Sequence, residues 1–176
     1  MAKQQITYTA GEISELRVTT DFLPTVGILT ASVRYELPAF LGGRITKEQY
    51  RRWLQRKSAT HCKRDRKRHP ERKIALAHYK RLIHEAVTAS NGFDWYTGEA
   101  LSWELISTYN NEDSRSGRST YKAGYALLPT VDHVTIDGGY RFVICGWRTN
   151  DAKNDLSLKD FLTLCRLVVD RHSSTE

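Results

Sequence analysis

The residues of this chain best suited to chemistry are Asp132 and His133, in Thr130-Val131-Asp132-His133-Val134, and Asn150, Lys153 and Asn154, in Thr149-Asn150-Asp151-Ala152-Lys153-Asn154. A carboxylate and an amide supply hard oxygen donors of the kind that hold Mg²⁺ or Mn²⁺. An imidazole, neutral near pH 7, is suited to draw a proton from water. Together these groups are what metal-assisted hydrolysis of a phosphodiester requires. Taken singly they mean less: an Asp-His dipeptide on a strand is most often structural, and an Asn ahead of a helix is most often a cap. The downstream Asn-x-x-Lys is what gives the Asp-His pair its weight.

Charge is segregated along the chain. Of its 176 residues, those from Arg44 to Glu85 include fifteen Lys or Arg and four Asp or Glu, a net +11 within a total of +7, which leaves −4 for the remainder. Concentrated like charge repels itself unless a polyanion is at hand, so nucleic acid is the natural partner, against the plainer reading of a solvated helical face. Cys62, Cys145 and Cys165 are odd in number and form no close pair, as in a reducing compartment. The first residues carry no apolar run of signal-peptide type, and Phe22 to Val33 is interrupted by Pro24, Thr25, Gly27, Thr30 and Ser32. The expectation is a cytoplasmic protein that neither spans nor enters a membrane.

The elements that must position these residues divide the chain into three. Residues 1–43 read as a strand and turn region, with Ile6 to Thr9, Arg17 to Thr19 and Val26 to Tyr35 as strands. Residues 44–90 read as a basic helical arm. Thr46 with Gln49 has capping-box spacing, Trp53 faces a core while Arg51, Arg52, Arg56 and Lys57 face outward, and Lys63 to Arg68 breaks the helix before Pro70 opens a second one running to about Ala89. Residues 91–176 hold the chemistry. Asn110 to Thr120 is polar and reads as a flexible loop, Tyr125 to His133 as a strand, Asp137-Gly138-Gly139 as a turn, and Arg141 to Cys145 as the returning strand. Ser157 and Asp160 cap a last helix with Phe161, Leu164, Cys165 and Val168 on one face. The expected class is α+β.

From Phe93 to Arg171 the chain resembles the ββα-metal fold of the HNH endonuclease superfamily. Trp95-Tyr96-Thr97-Gly98 is similar to the family's leading motif, Val131-Asp132-His133-Val134 to its Asp-His strand, and Cys145 through Leu156 to its closing Asn-x-x-Lys segment. The resemblance implies His133 as general base, Asp132 as a ligand to Mg²⁺ or Mn²⁺, Asn150 or else Asn154 as a second ligand, and products with 5′-phosphate and 3′-hydroxyl ends. The family's middle Asn or His, which orients the base, falls here on Arg141. Arginine cannot accept a hydrogen bond, so Arg141 is assigned to gripping phosphate and the orienting role passes to Cys145 or a backbone carbonyl. The paired cysteines that many relatives use for structural zinc are missing, so no zinc is expected, and Trp95, Trp103 and Trp147 are assigned the rigidity it would supply.

The resulting expectation is a divalent-metal-dependent endonuclease acting on DNA, double-stranded by preference. Arg51, Arg52, Arg56, Lys63, Arg64, Arg66, Lys67, Arg68, Arg148 and Lys153 would contact phosphate. Two other readings use the same residues: a decayed nuclease that binds without cutting, and a ribonuclease or toxin-type nuclease. A homodimer is one way for a chain with a single site to cut both strands.

Overall fold

A computed structural model of the chain describes residues 35–71, 75–136 and 139–173, all within one compact unit. The strands expected from Ile6 to Arg34 and the centre of the turn at 137–138 lie outside the described residues. The fold is α+β: among the described residues there are five α-helices and one two-stranded antiparallel sheet. No helix among them is long and apolar enough to cross a membrane.

The first long helix, α1 (Lys47–Arg68), starts where its sequence says it should. Thr46 Oγ1 accepts from the Gln49 N–H at 3.1 Å and Gln49 Oε1 accepts from the Thr46 N–H at 2.8 Å, the reciprocal pair of a capping box. Its end differs from expectation. Lys63 to Arg68 does not break the helix but forms its final turns, because its cations reach solvent or, for Arg64 and Arg68, partners outside the helix, and Arg66, Lys67 and Arg68 sit where the negative end of the helix dipole favours them. Pro70 is the terminator: it disfavours helical geometry at His69, which adopts φ −135°, ψ 71°. The second helix, α2 (Leu76–Ser90), therefore begins later than expected. Asn91 in the left-handed region (φ 46°) and Gly92 (φ 89°) close it.

Strands β1 (Pro129–Ile136) and β2 (Gly139–Gly146) pair with Asp132 opposite Val143, His133 opposite Phe142 and Val134 opposite Arg141. Residues 125–128, expected as strand, precede it. Side chains alternate between the two faces of the hairpin, and the faces are used differently. Val131, Phe142 and Ile144 pack with Tyr50, Trp53 and Leu54 of α1 and Tyr79, Ile83 and Val87 of α2 in one buried cluster. The basic helices thus share a core with the hairpin. The opposite face, carrying Thr130, Asp132, Val143 and Cys145, is closed by α4 (Trp147–Lys153), whose Thr149 and Lys153 are buried.

The polar stretch expected as a loop is helix α3 (Asn111–Gly124). Its signals are local: the Asn110 side chain accepts from the Glu112 N–H at 2.9 Å, and Glu112 and Asp113 occupy the first turn, where the dipole favours acids. Rings hold the helix in place, with Tyr109 5.6 Å from Tyr121, 5.1 Å from Tyr125 and 5.3 Å from Trp147. The last helix, α5 (Leu158–Ser173), is capped by Ser157, whose Oγ accepts from the Asp160 N–H at 3.1 Å. It buries no residue; Leu162, Leu164, Leu167, Val168 and Val169 are exposed, so the expected Phe161, Leu164, Cys165, Val168 face is not packed into this core.

Candidate active site

The site is built where β1, α4 and the end of α1 meet. Gly146 ends β2 and caps α4, and its small size is required. A Cβ there would stand 3.0 Å from the Ala126 carbonyl oxygen and 3.2 Å from Asp94 Oδ2. Asn154 ends α4 at φ 50°, ψ −129°, a positive-φ conformation outside the left-handed helical region, and turns residues 154–158 back towards β1. The result is an open cleft of about 890 Å³ lined by Asp132 and His133 from β1, Asn150, Lys153 and Asn154 from α4 and its cap, and Arg64 and Arg68 from α1.

Asp132 is only 8% exposed and fully engaged. Its Oδ1 accepts from the His133 N–H at 2.7 Å; Oδ2 accepts from the Tyr96 hydroxyl at 2.6 Å and lies 3.0 Å from Lys153 Nζ. Lys153, expected on phosphate, is instead a buried partner of this carboxylate, as burial of either charge demands. Burial, reinforced by the hydrogen bond to Asp132, holds the Tyr96 phenol protonated far above its ordinary range.

His133 points to the other side of the strand. Its Nδ1 is 2.5 Å from Arg64 Nη2, and its Nε2 is 3.3 Å from Asp65 Oδ2. Because a guanidinium only donates, Nδ1 must be the accepting nitrogen, and the neutral ring carries its proton on Nε2, towards Asp65. Asp65 also accepts from the Tyr79 hydroxyl at 2.8 Å. Asp65 of α1 is therefore the carboxylate that faces the ring, at ion-pair distance from Nε2 and outside hydrogen-bond geometry. Cys145, one of the two alternatives, is fully buried across from Thr130, with its thiol pushed up by burial. His61 lies against His133, ring centroids 4.8 Å apart, and its Nδ1 shares the Arg64 guanidinium at 2.9 Å. Burial first, then the Arg64 charge, lowers His133 to about 4; burial, His133 and Arg64 lower His61 to about 3. Both rings are neutral at pH 7.

Other residues read from the sequence stand elsewhere. Arg141 is not on the cleft; it lies over the Trp95 ring, 5.6 Å from its centroid, bordering a separate depression with Leu82, Ala86 and Ala89, because its register opposite Val134 carries it away from His133. Arg148 is paired with Glu99. Arg51, Arg52, Arg56, Lys63, Arg66 and Lys67 are exposed along α1 outside the cleft lining, Arg56 donating to the Ile106 carbonyl at 3.3 Å. Lys57, expected to face outward, turns in: its Nζ donates to Thr130 Oγ1 at 2.7 Å, and burial, then Arg56, lowers its amine to about 8.

A buried carboxylate also ties these segments together. Asp94, 2% exposed, accepts at Oδ1 from the Tyr96 and Thr97 N–H groups (2.7 and 3.2 Å) and at Oδ2 from the Gly146 N–H (2.7 Å) and Thr149 hydroxyl (2.9 Å). One side chain thus pins the 94–98 turn, the end of β2 and the start of α4, and aims Tyr96 at Asp132. Trp103 is fully buried, whereas Trp95 is 39% exposed. Asp65, Tyr96, Lys57 and Asp94 were not assigned functional roles from sequence. Asp65 had a visible signal, as the lone acid inside Lys63 to Arg68.

The oxygen donors on this cleft suit a hard cation. The Asp132 carboxylate, with the Asn150 and Asn154 amides on the same wall, already draws in the nearest positive group, the Lys153 ammonium. Comparison with protein-family models, with curated proteins and with solved structures finds no match to this chain.

Proposed function

We propose that the chain is a divalent-metal-dependent DNA endonuclease of the ββα-metal type. The observation that carries this reading is that Asp132, His133, Asn150 and Asn154, read from sequence as one chemical set, border a single cleft with Arg64 and Arg68 at its edge. Asp132 with Asn150 or Asn154 would hold Mg²⁺ or Mn²⁺. When bound, the cation supplies Lewis-acid activation of a phosphate oxygen and stabilises the leaving 3′ oxygen.

The remaining steps belong to the chain's own side chains. Arg64 and Arg68 meet the phosphates, adding to the field of the basic face of α1. Arg64 is also the residue that occupies His133 Nδ1, so its transfer to phosphate frees the lone pair that accepts the proton of the attacking water. Asp65 faces Nε2 and stabilises the imidazolium that forms. Tyr96 and Lys153 hold the Asp132 carboxylate towards the cleft. The products carry 5′-phosphate and 3′-hydroxyl ends.

A second reading, a module that binds nucleic acid without cutting it, is favoured by the engagement of the Asp132 carboxylate and of His133 Nδ1 by neighbouring side chains. Incubation of supercoiled plasmid with Mg²⁺ or Mn²⁺ separates the two. Nuclease activity is expected to nick the plasmid, and His133→Ala to lose at least about 100-fold in rate while still shifting DNA in a gel. Wild-type protein that shifts DNA but never nicks it with either ion supports the binding module. Parallel digestion of duplex DNA, single strands and RNA identifies the substrate.

A further inference from the structure

Beside the cleft lies a smaller pocket of about 220 Å³, lined by Lys57, Tyr109, Leu128, Thr130, Trp147 and Asn150. Asn150 borders both spaces, so the pocket opens off the wall of the candidate site. Its chemistry differs from that of the cleft. Tyr109 and Trp147 stand edge to face, centroids 5.3 Å apart at 82°, leaving an aromatic wall. Its polar groups are the Thr130 hydroxyl, the Asn150 amide and the Lys57 ammonium, which also lies 6.0 Å from the centroid of the Trp53 ring. Among the described residues the ammonium's hydrogen-bond acceptor is the Thr130 hydroxyl, and the ionisable groups acting on it are Arg56 and Cys145, with no carboxylate.

A desolvated ammonium with donors to spare and no counter-charge is costly to maintain for packing alone. It is suited to an acceptor brought in by a ligand. The pocket is too small for a nucleotide with its sugar and phosphate, and its aromatic lining is not that of a phosphate site; it suits one planar ring. We infer that this pocket takes a single nucleobase from the strand lying in the cleft, one with a carbonyl acceptor such as guanine or thymine, its edge on Lys57 Nζ and its face against Trp147 or Tyr109. Lysine donating to guanine O6 and N7 is a common base contact, and base–aromatic stacking tolerates different sequences. A base can enter only when unstacked, so the inference deepens the nuclease reading and rests on it: the strand is distorted, or already single, next to the phosphate presented to His133.

The test uses the full chain in EDTA with fluorescein-labelled single-stranded and duplex DNA oligonucleotides, some carrying 5-iodouracil in place of thymine, a base that photo-crosslinks to aromatic rings in contact. Irradiation followed by peptide mapping is expected to place the crosslink on Trp147 or Tyr109. In fluorescence anisotropy, Lys57→Met is expected to weaken binding about tenfold, and replacing the pocketed base by an abasic residue to weaken wild type about five- to a hundredfold. The crosslink is read on wild type, so it stands even if a variant folds poorly. Oligonucleotide that binds normally but crosslinks only outside the pocket, with Lys57→Met binding as wild type does, overturns the base pocket and leaves the nuclease reading intact. Protein that binds none of these oligonucleotides overturns both.

Discussion

Acidification from pH 7 to pH 5 should cost this fold stability out of proportion to its size, through two histidines. An unfolded chain protonates histidine near 6.5. The native state holds His61 at about 3 and His133 at about 4, because both rings are withdrawn from water and both face Arg64. Between pH 6.5 and about 4 the unfolded state therefore binds more protons than the native state, and stability falls as pH falls. Each ring contributes about 1.4 kcal/mol per pH unit well inside that window. At pH 5, 1.5 units below the unfolded value, the loss from His61 alone is about 2 kcal/mol, and His133 raises the total to about 4 kcal/mol. The part of this window down to pH 5 lies above the ordinary carboxylate range, so acid-side ion pairs do not dominate it. Urea unfolding of the chain at half-unit steps from pH 7 to pH 5, followed by tryptophan fluorescence, measures the slope. His61→Phe keeps a ring against Phe142, at 5.3 Å in the wild type, and should roughly halve the slope. Stability that is flat or rising as the pH drops from 6.5 to 5 refutes the burial and charge argument for both rings.

Three further outcomes follow from other parts of the site. Asp65→Ala should lower kcat for plasmid nicking by about 100-fold or more while gel-shift affinity holds, since Asp65 acts on His133 rather than on DNA; equal losses in both assays would assign it to the interface instead. Asp94→Ala leaves three N–H groups and one hydroxyl without their buried acceptor and should cost about 3 kcal/mol or more in denaturant unfolding. Gly146→Ala drives a Cβ to 3.0 Å from a backbone oxygen that cannot rotate away, so a loss of about 1–3 kcal/mol is expected in the same assay.

Local signals were legible in the chain wherever the physics is local. The Thr46–Gln49 capping box, the pairing of the Asp132-His133 strand with the one that follows it and the Ser157 cap involve residues close to one another in sequence, and each reappears in the structure as a bond or a register. Asn110 carries the same kind of local signal for α3, as the cap that accepts from the Glu112 N–H, although the stretch reads as a loop by its polar composition. What lies between distant segments was not legible. Capping and periodicity do not say that the basic run of α1 reaches His133, that its single acid faces Nε2, or that Lys57 turns inward to Thr130, 73 positions away. Arg141 shows the converse: its spacing from Asn150 suggested a place beside His133, yet strand alternation and the packing of α2 carry it to the Trp95 side. By itself, the sequence determined which functional groups exist and which short elements carry them. The tertiary fold decided which of those groups meet, because burial of one apolar face of the hairpin under α1 and α2 sets the direction of every side chain on both strands.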